Sequence, residues 1–128
     1  MNYILHPAAE AELLESISYY ESKAPGIGTR LLAEFEQAMS SVCLSPKLYQ
    51  VARKPNIRRA LLPTYPLFSI IFRQSESEQI QILAIAHQKR RPMYWISRVQ
   101  SSFLRNKKIT HWRNSTVGTR EGSGFSFQ

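Results

Sequence analysis

The segment Ala86-His87-Gln88-Lys89-Arg90-Arg91-Pro92-Met93-Tyr94-Trp95, with Arg98 just beyond it, gathers groups that can grip or cut a polyanion. His87 brings an imidazole that titrates near neutral pH. Lys89, Arg90 and Arg91 bring three neighbouring cations. Tyr94 and Trp95 bring flat rings, one of them carrying a phenol. Arg59 and Arg73 belong to the same reading, because both fall at or near the ends of predicted neighbouring strands. Paired guanidinium groups there suit bidentate contact with phosphate or carboxylate. Arg58 and Arg59 point to opposite faces of a strand, so at most one of them joins a given site, and Arg59 is the expected member. A plainer assignment is open for each group. His87 at a strand end serves as a hydrogen-bonded structural histidine, and Tyr94, Trp95, Arg98 and Val99 cap a core at helical spacing.

These side chains need a scaffold, and the pattern of the chain supplies one. An apolar run over residues 79–86 leads directly into the cluster, and Pro92 interrupts it. Period-two alternation puts Ile80, Ile82, Ala84 and Ala86 on one face and Leu83, Ile85 and His87 on the other. Two more strands are predicted over residues 57–62 and 67–73, with a polar turn at residues 74–78 before the last strand. A short strand at residues 2–5 opens the chain. Pro7 then sits near the first position of a helix whose stripe is Ala9, Leu13, Ile17 and Tyr20, with Glu10, Glu12, Glu15 and Glu21 mostly facing elsewhere. Ala24-Pro25-Gly26 ends it. A second amphipathic helix carries Leu31, Leu32, Phe35, Ala38, Met39 and Val42 and stops at Ser45-Pro46. A short helix is expected from Pro92 to about Phe103. Helices early and strands late predict an α+β domain. In it an N-terminal strand and a helical hairpin pack on a mainly antiparallel four-stranded sheet. Residues 1–103 form this domain, and residues 104–128 read as a basic, disordered tail.

Composition narrows the class. The chain has 128 residues and a formal charge of +8, unevenly spread. Residues 1–46 are acidic, with two bases and six acids, whereas residues 47–103 hold ten bases and two acids. That asymmetry predicts a polyanionic or acidic-protein partner for the second half. Cys43 is the single cysteine, so no internal disulfide or cysteine-rich zinc site is expected. His6 and His111 have no metal-like partners, no Gly-rich phosphate loop occurs, and no cofactor or metal is predicted. No apolar run reaches the ~20 residues of a membrane span, and residues 1–7 lack the regions of a secretory signal, so a cytoplasmic location is expected.

The order of elements resembles the RelE/ParE superfamily of bacterial type II toxins. So do Ile57-Arg58-Arg59, Tyr65-Pro66 ahead of the strand ending at Arg73, Ala11-Glu12-Leu13-Leu14 with Tyr19-Tyr20, and above all the His87-to-Arg98 pattern. The likeness spans roughly residues 2–99, and the Pro-x-Tyr-Trp signature looks most like the ParE-like branch. The resemblance implies a toxin held silent by a cognate antitoxin, a small acidic or amphipathic protein that lays a helix or strand across it.

The superfamily offers two mechanisms, which ask different things of these residues. In the ParE-like reading the toxin binds DNA gyrase without hydrolysis. Arg59, Arg73, His87, Lys89, Arg90, Arg91, Tyr94, Trp95 and Arg98 then form the target-binding face, with the two rings as anchors. In the RelE-like reading it is a ribosome-dependent mRNA endoribonuclease. Metal-free cleavage must deprotonate a 2′-OH, stabilise the phosphorane and protonate the leaving oxygen. The catalytic candidates are Arg59, Arg73, His87 and Tyr94, the last lying where similar nucleases carry a reactive tyrosine. Lys47 and Lys54 match no partner position, and spacing alone completes no acid–base set. A third reading is a non-catalytic basic module that binds nucleic acid with steep salt dependence.

Overall fold

The computed structural model describes residues 2–100. The expected boundary at residue 103 and the tail at 104–128 lie outside the described residues. Strand β1 (Tyr3–Leu5) leads into helix α1 (Pro7–Lys23) and helix α2 (Ile27–Leu44). Strands β2 (Gln50–Arg53), β3 (Ile57–Leu61), β4 (Phe68–Gln74) and β5 (Ile80–His87) follow, and a 3₁₀ turn at Ile96–Gln100 closes the described chain. The strands form one sheet in the order β1-β5-β4-β3-β2. Only β1 and β5 run parallel; the other neighbours are antiparallel.

Local chemistry explains the hairpin. His6 starts α1 by accepting the Ala8 N–H on its Nδ1 at 3.0 Å, and Pro7 follows at the first helical position, where no N–H is needed. Gly26, at φ 87°, makes the left-handed step between the helices that a side chain would resist. It has no side chain with which to cap α2. The Glu21 carboxylate does this instead, accepting the Gly26 N–H at 2.8 Å and the Gly28 N–H at 3.0 Å. Those bonds hold the Glu21 carboxyl below its ordinary pKa. At Gly28 the two helices touch, because a Cβ there would collide with the Ile17 carbonyl oxygen.

Both faces of the sheet are covered. On one face the hairpin buries Leu13, Leu31, Phe35 and Met39 against Ala60, Ile70, Phe72, Ile82 and Ile85. Burying each large side chain contributes about 2–3 kcal/mol before entropy is counted. The opposite face carries a smaller core of Ile4, Ile57, Ile71, Leu83 and Ala84, roofed by Trp95.

Three details differ from the sequence expectation. The sheet has five strands, because Gln50–Arg53 pairs with β3 at its outer edge. This short strand has three exposed residues out of four, which leaves no alternation to read. Strand β5 does not keep a strict period of two. Ile71 pairs with Ala84 and Phe72 with Ile82, so Leu83 is an extra residue in a β-bulge. Ile85 therefore joins Ile80 and Ile82 under the helices, and Leu83 joins Ala84 on the far face. Finally, the expected helix after Pro92 is a chain of three-residue turns. The Tyr94 N–H reaches the Arg91 carbonyl, Ile96 reaches Met93 and Arg98 reaches Trp95. Met93, at φ 59°, interrupts helical geometry at the start of this arm.

Candidate binding face

Strand β1 pairs with β5 only as far as Leu5 opposite Ile82. Past that point the outer edge of β5 shows backbone groups with no strand to meet them, which is costly when buried. Two side chains take the strand's place. Glu12 of α1 accepts the Ile85 N–H on Oε1 at 3.0 Å, and Arg98 donates to the Leu83 carbonyl at 3.1 Å. The same two groups bind each other. Arg98 Nη1 lies 3.0 Å from Glu12 Oε1 and Nη2 lies 3.0 Å from Oε2, a bidentate ion pair with both side chains mostly buried.

Tyr94 completes the cluster by donating its phenol to Glu12 Oε2 at 2.7 Å. Burial first, then that hydrogen bond and the Glu12 charge, push the phenol's pKa far up. Tyr94 is thus a firmly neutral donor, and general-base use of it would require this bond to break. Arg90 stacks over the ring at 3.9 Å from its centroid and lies 3.9 Å from Glu12 Oε2, with its own side chain 54% exposed. His87 accepts the Lys89 N–H on Nδ1 at 3.0 Å and meets Phe68 edge-on at 5.0 Å. These bonds hold the turn that aims the cationic segment.

His87, Arg90 and Tyr94 form a ridge between two grooves. On the helix side a cavity of about 420 Å³ is lined by Glu12, Glu15, Tyr19, Tyr20, Phe68 and Lys89, among others. On the far side a groove of about 320 Å³ is lined by Arg59, Arg90, Arg91, Leu61, Leu67 and Met93, among others, and by no carboxylate. Arg53 borders it through a contact from Nη1 to the Met93 sulfur at 3.4 Å.

The structure therefore gathers Arg59, His87, Arg90, Arg91 and Tyr94 along one rim, with Lys89 on its helix side. It places three other candidates differently. Arg73 does not join Arg59. It spends Nε on Gln81 Oε1 and Nη2 on the Val99 carbonyl, both at 2.8 Å, and tethers the arm to the sheet. Burial lowers its pKa. Trp95 is 4% exposed and roofs the second core, so it is not available as an exposed anchor. Arg98 is internal, committed to Glu12 and Leu83. The register separates the neighbouring arginines as expected. Arg58 stands opposite Phe72 and donates to the Tyr49 carbonyl at 2.8 Å, whereas Arg59 stands opposite Ile71 and opens to the groove.

Glu12 is the residue that sequence reasoning passed over. Its signal was faint: an acid beside Leu13 in a segment whose only bases before residue 47 are Lys23 and Arg30. A partner had to come from far along the chain, and spacing cannot show that. Among the described residues no three His, Cys, Asp or Glu side chains group as a metal site would require. No helix among them is long and apolar enough to cross a membrane.

Comparisons with known proteins agree with this architecture. The family described as the ParE toxin of type II toxin–antitoxin system, parDE, matches residues 3–92. No curated protein matches the chain significantly. Among solved structures, one from a chromosomal ParDE toxin–antitoxin system of P. aeruginosa is similar, with a TM-score of 0.58 and 20% identity. The alignment covers 68% of this chain and 95% of that one, and at this identity it speaks to the fold. With the family match spanning most of the described residues, the chain belongs to the ParE toxin family of type II toxin–antitoxin systems.

Proposed function

We propose that this protein is the toxin of a type II pair that arrests growth by binding DNA gyrase, using the acid-free groove as its contact surface. The observation that carries the reading is the lining of that groove. Arg59, Arg90 and Arg91 share it with exposed Leu61, Leu67 and Met93. Among the described residues Arg59 and Arg91 have no carboxylate partner. Arginines interleaved with apolar side chains suit an acidic protein surface, where burial of the apolar part adds affinity that a phosphate backbone does not return. Tyr94, engaged by Glu12, supports binding over cleavage for the same reason. A cognate antitoxin would silence the toxin by covering the rim. The helix-side cavity, with Tyr19, Tyr20 and Phe68, offers it apolar contacts.

Two assays on the purified full chain decide between the branches. Inhibition of gyrase supercoiling without transcript cleavage on translating ribosomes is the expected result. The paired variant Arg59→Ala and Arg91→Ala should weaken inhibition by an order of magnitude or more. Ribosome-dependent cleavage that is lost in Tyr94→Phe would establish the nuclease instead. Nucleic-acid binding with a steep salt slope and neither activity would leave a plain basic module.

A further inference from the structure

We infer that Glu12 is a positioning residue of the toxic face: its carboxylate, acting through Tyr94, orients Arg90 toward the partner. This rests on the binding role proposed for the rim. Four groups, one from β5 and three from the segment that follows it, meet at this one carboxylate of α1. They are the Ile85 N–H of β5, the Tyr94 phenol, the Arg98 guanidinium and, at longer range, Arg90. Glu12 sits on α1, packed in the body of the molecule, while Tyr94 and Arg98 belong to an arm of three-residue turns. Such an arm has few backbone bonds of its own to hold its shape. Among the described residues its tethers include Trp95 in the second core, Arg73 on the Val99 carbonyl, Arg98 on the Leu83 carbonyl, Arg53 at the Met93 sulfur, and Glu12. The His87 turn and the Arg53–Met93 contact hold the backbone on either side of Arg90, and Glu12 is the tether that holds the ring on which Arg90 stacks.

The geometry gives the order of action. Glu12 fixes the Tyr94 hydroxyl, the ring supplies the plane on which the Arg90 guanidinium stacks, and the stacked guanidinium stays half in solvent. Arg90 is the point at which an internal network reaches the surface. Without the carboxylate, Tyr94 loses its acceptor and Arg98 its counter-charge, so the platform beneath Arg90 is free to turn. Glu12 itself need not touch the target.

The test uses the full chain with Glu12→Gln, a near-isosteric change that removes the charge. Hydrogen exchange should show the amides of Tyr94, Ile96 and Arg98 losing at least tenfold protection, while those of Ile70 and Ile82 in the sheet stay unchanged. The concentration of toxin needed for growth arrest should rise about tenfold. Because Glu12 works through Arg90, adding Glu12→Gln to Arg90→Ala should change arrest less than twofold beyond Arg90→Ala alone. Multiplying effects in the double variant, or arm protection equal to wild type, would overturn the inference. If Glu12→Gln fails to fold, Arg98→Gln breaks the same pair from its other side, and the same two readouts apply. A wild-type chain that never arrests growth defeats the functional reading alone, because the exchange measurement still judges the positioning.

Discussion

The two sides of the His87–Arg90–Tyr94 ridge treat positive charge in opposite ways. On the helix side Arg98 is sunk against Glu12, with both oxygens of the carboxylate occupied. On the far side Arg59 and Arg91 face solvent beside exposed leucines, with no acid partner among the described residues. Burying a charge is tolerable only when it is paired and hydrogen-bonded, so the helix-side arginine is bound up in the fold. An exposed and unpaired guanidinium contributes little to stability and keeps its bonding capacity for a partner. The same side chain thus serves the fold at Arg98 and lies open to solvent at Arg59 and Arg91.

Substitutions on each side of the ridge test that division. The largest effect should come from Trp95→Ala, which empties the roof of the second core and should cost about 3–5 kcal/mol in denaturant unfolding. A loss below ~1 kcal/mol would mean the roof is not closed in solution. Arg98→Ala should cost about 3 kcal/mol, because it strands the Glu12 carboxylate and the Leu83 carbonyl. An effect as small as that of a surface residue would erase the contrast between the two sides. Tyr94→Phe should cost about 1.5 kcal/mol at neutral pH, the worth of a hydrogen bond to a charged acceptor.

Tyr94 also predicts a pH dependence of definite sign. Folding raises the phenol's pKa above the unfolded value of about 10, so the folded state favours the protonated form. Its contribution is fully present below pH ~10 and is lost as pH climbs beyond it. Wild type should therefore show a steeper fall in unfolding free energy above pH ~10 than Tyr94→Phe does; parallel curves would refute the buried phenol. The smallest stability change belongs to Arg59→Ala and Arg91→Ala, each within about 0.5 kcal/mol of wild type. Those two variants should nonetheless lose target binding, which separates them from Arg98→Ala.

Much of this design can be read in the residues. Leu13, Leu31, Phe35 and Met39 recur at helical spacing, and all of them lie in the core that periodicity assigns to the hairpin. Phe68, Ile70 and Phe72 alternate in a strand and bury one face in the same core. The cluster of His87, Arg90, Arg91 and Tyr94 was legible because these residues lie close together in the chain. The bulge at Leu83 was not legible, since a period-two reading of one strand has no way to register an extra residue that only its pairing with the neighbouring strand reveals.

Amino-acid order alone settled the first strand, the helical hairpin, the three strands β3, β4 and β5, the basic second half and the family. These depend on local propensity, on periodicity and on charge, which are properties of short stretches. Which arginine is free and which is bound was decided only in three dimensions. Glu12 and Arg98 are separated by 86 positions, and Arg73 and Val99 by 26. Their meeting follows from where β1 stops, how β5 bulges and how the arm crosses the sheet edge. A side chain's pairing depends on what the folded chain brings within a few ångströms of it, and linear spacing holds no record of that distance.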